Sequence, residues 1–335
     1  MIELSIITTL YKSEKYVSKC LDSILSQDIP LSEYEIIVVN DGSPDTSHEI
    51  ALSYAVKNTN IKVVSHENKG LSGARNTGIQ LAQGKYLTFI DPDDYIQPNV
   101  YKNLLNKMEQ DDLDMLRFVY TMVDENYDSV PMPKGAKNTA DYKDNIVNGK
   151  VFLSRKLSYA CFVWTFIYKT SLIKSNNISF KQGLYIDDTD WLPRVLCHAN
   201  RVTSIDTQVS FYVQRDGSLI NAQGVLAAQK KIEGLFKTLE IVKEESDRQT
   251  DKDVKKWYSG MSALLVLGLL NIISTYFYNE KDTYFSRLRE ADIFPLSCFR
   301  HSKRVRLRIL LANISTGFYC WIMNYKNKHL STEKR

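Results

Sequence analysis

The sequence predicts an α/β fold over roughly its first 220 residues, with a mostly parallel central sheet flanked by helices, and a helical C-terminal extension. Three observations predict it. Apolar, β-rich runs alternate with stretches of helical periodicity up to residue 120. Runs such as "IIVV" carry no polar alternation, which suits strands covered on both faces. From residue 222 onward the pattern is almost entirely helical.

The first run, "LSIITTL", opens a start that lacks the basic segment and cleavage site of a signal peptide, so it reads as a strand. A helix follows from Glu14 to Gln27, where Val17, Leu21, Ile24 and Leu25 form an i, i+4, i+7, i+8 stripe. "EIIVVN" precedes a helix from Thr46 to Lys57, "IKVVS" one from Ser72 to Ala82, and "KYLTFI" one from Gln97 to Gln110; "DMLRFVY" closes the series. Strand–helix alternation of this kind builds βαβ units. Residues 121–150 lose the rhythm and read as a polar loop or irregular hairpin, and 151–221 mix short strands and helices. In the extension, Trp257 to Asn279 contains no charged residue and is long enough to span a bilayer. Ser259, Gly260, Ser262, Asn271, Ser274 and Thr275 dilute it, so a buried helix is the preferred reading.

The 335 residues are 44% hydrophobic and 24% charged, with a net charge of +4 that is too small to imply a nucleic-acid partner. Five scattered cysteines without a C-x-x-C pair fit a reduced, cytoplasmic protein. Neither G-x-G-x-x-G nor G-K-[ST] occurs, which excludes the usual dinucleotide and P-loop sites. "TTLYKSEK" has no glycine, so the phosphate loop of a nucleotidyltransferase is missing after strand one.

"YLTFIDPDDY" carries an apolar strand into Asp91, Asp93 and Asp94. Open α/β sheets bind ligands beyond the carboxyl ends of their strands, and alternating carboxylates there suit a hard cation holding a diphosphate. Taken alone, D-P-D-D reads first as a helix start with a capping aspartate. Its companions reverse that preference. Asp41 in "VVNDGSPDTS" ends the second strand and can accept from a nucleobase N–H; Asp45 and Thr46 look like helix caps. Gly70 and Gly73 in "NKGLSGARNTG" let backbone approach a ligand, and Arg75 brings a permanent positive charge. Thr9 and Tyr11 in "TTLY" can hold and stack a base.

With these stretches in this order, the sequence resembles the family 2 inverting glycosyltransferases of the Rossmann-like GT-A fold over about two-thirds of the chain. The resemblance implies a nucleotide-sugar donor, most often UDP-linked, and a divalent ion, Mn²⁺ or Mg²⁺. It maps uracil and ribose recognition onto Thr9, Tyr11, Asp41 and Arg75, and the metal site onto Asp93, with Asp91 beside it near the ribose. It divides the catalytic domain, residues 1–220, into a donor half (1–120) and an acceptor half (121–220), ahead of the helical region 221–335. Lys12 and Asn40 depart from the family's usual Asn and Asp at those positions. A processive synthase is disfavoured, since such enzymes carry several membrane spans and a Q-x-x-R-W motif.

Inverting transfer needs a carboxylate to take a proton from the acceptor hydroxyl. "GLYIDDTDWLPRVL" is the best source: Asp188 is the preferred base and Asp187 the alternative, either of which also suits a helix start. Trp164 lines an acceptor site or sits in the core. "SFYVQRDGSLIN" resembles a family segment whose Arg215 and Ser218 reach the diphosphate on loop closure; Arg215 also reads as a surface charge. At the C-terminal end, Arg300, Lys303, Arg304, Arg306 and Arg308 precede an aromatic run with Phe318, Tyr319 and Trp321, closed by Lys326 and Lys328. That composition suits an anionic membrane surface at the inner face of the plasma membrane, or equally a solvated helix or a homodimer contact. The expected function is metal-dependent sugar transfer to a glycan or lipid-linked glycan in capsular, exo- or O-antigen polysaccharide synthesis. The alternative is a non-catalytic nucleotide-binding or membrane-tethering member of the same fold.

Overall fold

The computed structural model describes residues 1–132, 145–215 and 224–332, with side chains up to Asn327. The chain divides into two compact units, Met1–Gln182 with Trp191–Ser218, and Gly183–Asp190 with Leu219–Arg335.

The first unit holds one sheet of β1 (Leu4–Leu10), β2 (Tyr34–Asn40), β3 (Ile61–Ser65), β4 (Tyr86–Ile90), β5 (Tyr95–Ile96), β6 (Met115–Val123), β7 (Phe166–Lys169) and β8 (Val202–Val213). Their order is β3-β2-β1-β4-β7-β6-β8-β5. The parallel arrangement implied by the alternation holds across β3-β2-β1-β4 and again between β6 and β8. β7 inserts antiparallel to both neighbours, and β5 runs antiparallel to β8, so the whole sheet is mixed. Helices α1 (Val17–Leu25), α2 (Ser47–Lys57), α3 (Gly70–Leu81) and α4 (Tyr101–Gln110) fill the connections. Further on come α5 (Gly149–Val151), which runs into a π turn to Lys156, α6 (Thr170–Ser175) and α7 (Asp188–His198).

Period-two alternation assigns the faces. Leu4, Ile6 and Leu10 of β1 join Val17, Leu21 and Ile24 of α1 and Leu104 and Met108 of α4 in one buried cluster. On the other face, Phe89 of β4 meets Trp191 of α7 edge-on at 5.6 Å, and Trp191 stacks on Phe180 at 4.4 Å.

Two helix starts differ from expectation for identifiable reasons. α1 begins at Val17, not Glu14, because Glu14 is engaged elsewhere: its N–H donates to Asp45 and its carboxylate accepts from the Thr46 hydroxyl at 2.9 Å. Asp45 accepts from Ser47 N as a cap should, whereas Thr46 makes no capping bond. α4 begins at Tyr101 because residues 95–96 are spent on β5, and Gln27 Oε1 accepts from Val100 N instead of a local cap.

The second unit is helical: α8 (Val225–Arg248), α9 (Lys252–Tyr276), α10 (Lys281–Glu290), α11 (Lys303–Ile314) and α12 (Thr316–Thr332). Asp251 caps α9 by accepting from Asp253 N and Val254 N. α9 is long and apolar enough to cross a membrane, but 67% of its apolar window is buried within the structure. α8, α11 and α12 pack against it. Arg287 of α10 clamps Glu233 of α8 through two bonds, 2.7 and 3.1 Å long.

Candidate active site

Strand register builds the site. Leu10 of β1 lies opposite Asn40 of β2, and Thr8 opposite Ile90 of β4. Three parallel neighbours thus end together, and Tyr11, Asp41 and Asp91 emerge at one carboxyl edge, where open sheets bind ligands. Thr9 is buried at the end of β1, while Tyr11 just beyond it is 46% exposed and can present a ring face.

Asp41 is buried and held from several sides. Its Oδ1 accepts from Lys69 N at 2.7 Å, Asn68 donates to its carbonyl at 2.9 Å, and His66 Nδ1 lies 3.4 Å from Oδ1. The turn beyond it needs Gly42, whose φ is +64° and where a Cβ would meet Asn68 N at 3.1 Å. Asn40, one of the two departures from the family pattern, ties β2 to this turn: its Oδ1 accepts from Ser43 N and its Nδ2 donates to Ser65. Lys12, the other, has a left-handed backbone with φ 54° and donates its N–H to Ser43 Oγ at 2.8 Å. Asn tolerates that conformation better than Lys, which gives the departure a physical cost.

The acid cluster finds its counter-charge within the chain. Arg75 is 3% exposed and places Nη2 3.2 Å from Asp91 Oδ1, with its guanidinium 5.3 Å from the centre of the Phe180 ring. Arg215 Nε donates to Asp93 Oδ2 while its guanidinium lies over the Tyr16 ring at 5.4 Å. Asp94 turns inward: Oδ1 accepts from Val213 N at 2.9 Å, and Oδ2 is buried without a hydrogen-bond partner. Burial first, then the charges of Asp93 and Asp91, push the Asp94 pKa well above the ordinary carboxylate range. Asp94 is therefore a structural acid, and only Asp91 and Asp93 face outward.

The donor set sets limits on a metal. Among the described residues no group of three or more His, Cys, Asp or Glu side chains could hold an ion by itself. Asp93 and Asp91 fit the other mode, in which one or two carboxylates share a hard cation with ligand phosphates and water.

Several placements differ from the sequence reading. Gly73 does not open a path for a ligand, since a Cβ there would meet Lys69 Cβ at 2.5 Å; its smallness lets Lys69 pack. Trp164 is 4% exposed within an aromatic cluster, 5.3 Å from Tyr212. The half-buried Tyr212 feels the acids: burial first, opposed by Gln214 and aided by Asp94, Asp91 and Asp93, raises its pKa to about 12. Tyr16 and Glu125 were also missed; Tyr16 Oη donates to Glu125 at 2.6 Å, which raises the tyrosine's pKa to about 12. No motif marks His66 or Tyr212, which strand order brings to this edge, or Tyr16, which sits at the start of α1 and meets Arg215 from the far side of the sequence. Ser218 lies outside the described residues.

Asp187 and Asp188 are buried at the start of α7, where Asp190 N donates to Asp187 O and Asp188 opens the helix. Within the second unit, Gly183, Leu184 and Tyr185 wall an open groove of about 750 Å³ with Lys230, Lys237 and Arg287, and neither aspartate lines it.

The model of glycosyl transferase family 2 matches residues 5–174, just over half of the chain. EpsJ of Bacillus subtilis strain 168, an uncharacterized glycosyltransferase, is 32% identical over 216 residues, covering 64% of this chain and 62% of EpsJ. TarS of Staphylococcus aureus, a poly(ribitol-phosphate) β-N-acetylglucosaminyltransferase, is 31% identical over 221 residues, 65% of this chain and 36% of TarS. The chain thus spans less than two-thirds of the length of these relatives. The crystal structure of TarS residues 1–349 with UDP-GlcNAc matches with a TM-score of 0.68 at 21% identity, covering 98% of this chain and 92% of that one. A Pyrobaculum calidifontis mannosyltransferase solved with GDP-Man and Mn²⁺ matches with a TM-score of 0.55 at 13% identity, covering 97% of this chain and 88% of that one. These likenesses show the GT-A fold. Sequence and fold together establish that the chain belongs to glycosyl transferase family 2.

Proposed function

We propose that this chain is an inverting glycosyltransferase that moves a sugar from a UDP-linked donor to a hydroxyl of a glycan or lipid-linked glycan in surface-polysaccharide assembly. The observation that carries this reading is the convergence of Tyr11, Asp41, Arg75, Asp91 and Asp93 at one sheet edge of a family 2 chain. Support for the donor comes from TarS, which was solved with UDP and with UDP-GlcNAc.

In this reading Tyr11 stacks on the base and Asp41 accepts from its N–H through Oδ2. Arg75 and Arg215 place positive charge where the diphosphate leaves, which stabilises the departing group. Asp93, with Asp91 beside it, would hold a Mn²⁺ or Mg²⁺ ion, which would supply Lewis-acid charge to the leaving diphosphate. Asp188, or Asp187 in its place, takes the acceptor proton as the hydroxyl oxygen attacks the anomeric carbon; the C–O bond to the nucleoside diphosphate breaks, and configuration inverts.

The test is release of nucleoside diphosphate from a panel of UDP-sugars with Mn²⁺ and glycan acceptors. Asp93→Asn and Asp188→Asn are expected to lower turnover by roughly 10²–10⁴-fold while leaving the fold intact. Tight UDP binding by calorimetry without release from any donor would instead establish the non-catalytic reading. Neither binding nor release would remove both.

A further inference from the structure

Among the described residues, large apolar side chains of the second unit's last two helices are exposed together on one side of each. Leu307, Leu310 and Ile314 of α11 and Phe318, Trp321 and Tyr325 of α12 are each between 49% and 71% exposed. At about 100° per residue, Leu307, Leu310 and Ile314 fall within about 60° of one another on α11, with Lys303 among them. Arg304 and Arg306 flank this stripe on its two sides. On α12 the rings form a plate: Phe318 stacks with Trp321 at 5.9 Å and 13°, and Trp321 with Tyr325 at 6.2 Å and 25°.

The opposite faces of both helices are anchored. Cys320 Sγ lies 3.6 Å from Leu270 O, and Tyr319 Oη donates to Asn271 Oδ1, both on α9. Arg308, which the sequence placed among the surface charges, turns inward and donates to Tyr319 Oη and Asn271 Oδ1. The apolar faces therefore point away from α9.

Charge identifies the occupant. Residues 293–332 contain seven Lys and Arg and no Asp or Glu. An apolar stripe edged by arginines, beside an aromatic plate, matches the plane of an anionic bilayer, where rings settle at headgroup depth and cations meet lipid phosphates. We propose that α11 and α12 seat the second unit on an anionic lipid surface through this face. The proposal does not depend on the transferase reading.

The experiment is co-sedimentation of the full chain with phosphatidylglycerol–phosphatidylcholine vesicles, against pure phosphatidylcholine. Of the four tryptophans, Trp164, Trp191 and Trp257 are at most 4% exposed, so Trp321 reports contact by a blue shift in emission. Binding is expected with the anionic vesicles only, weakening as salt rises. Arg304→Gln with Arg306→Gln should lower partitioning about fivefold per residue. Leu310→Glu with Phe318→Glu should abolish it, with thermal melting unchanged because both side chains are exposed. The proposal is overturned if anionic vesicles fail to bind, if neither pair of substitutions weakens binding, or if sedimentation shows self-association that Leu310→Glu with Phe318→Glu disrupts while vesicles leave the chain in solution.

Discussion

The Arg75–Asp91 pair is the sharpest test of how the acid cluster is held. At 3.2 Å and an effective dielectric constant of about 20, the bare attraction is about 5 kcal/mol. Desolvation of Arg75, which is 3% exposed, offsets much of that, while Asp91 at 26% keeps part of its hydration. Arg75 also loses its place over the Phe180 ring when replaced, a contribution of about 0.5–1 kcal/mol. Arg75→Met is therefore expected to cost about 3 kcal/mol, chiefly by stranding a carboxylate next to Asp93 and Asp94. Because Arg75 makes further contacts, the single variant cannot isolate the pair. A double-mutant cycle with Asp91→Asn can, read by urea unfolding of all four proteins, and the coupling is expected at about 1–2 kcal/mol. A coupling below about 0.5 kcal/mol would refute the claim that Arg75 neutralises Asp91, and with it the account of why these acids tolerate one another.

Three other outcomes follow from single sites. Gly84→Ala would drive a Cβ to 2.5 Å from Ser5 N and 2.7 Å from Tyr86 O, backbone that cannot move without disturbing β1 and β4. A loss of about 1–3 kcal/mol is expected, seen as a lower urea midpoint at unchanged slope. Lys12→Asn should raise stability by roughly 0.5 kcal/mol by relieving the left-handed backbone, and a loss instead would mean that the Lys12 side chain contributes more than its backbone costs. His301 is buried with Nε2 3.0 Å from Gly260 O, and burial lowers its pKa. The unfolded state then binds the proton more readily, so this residue's stabilisation is complete above about pH 6.5 and lost as pH falls through the folded value. His301→Gln should flatten that dependence in thermal melts; an unchanged slope below pH 6.5 would count against it.

Much of the site was legible because it rests on local chemistry. Asp41, Asp91 and Asp93 each follow an apolar run directly, so a strand's end and a carboxylate could be read together. Arg75 was readable as a charge, though not as the partner of Asp91, since 16 residues and a full crossover separate them. Asp94 looked like its two neighbours and is not: only the approach of Val213 shows that it faces inward. Adjacent acids at one helix start, such as Asp187 and Asp188, carry no local signal of which way each points.

The sequence by itself determined the strand–helix alternation, the acidic ends of the strands and the apolar character of α9, because these depend on periodicity and on residues a few positions apart. Only the tertiary structure decided that β7 runs antiparallel between β4 and β6, that Arg215 meets Asp93 across 122 residues, and that Arg308 is internal while Trp321 is not. Strand direction and burial are set by which distant surfaces meet, and contacts of that range leave no period in a linear chain for a reader to detect.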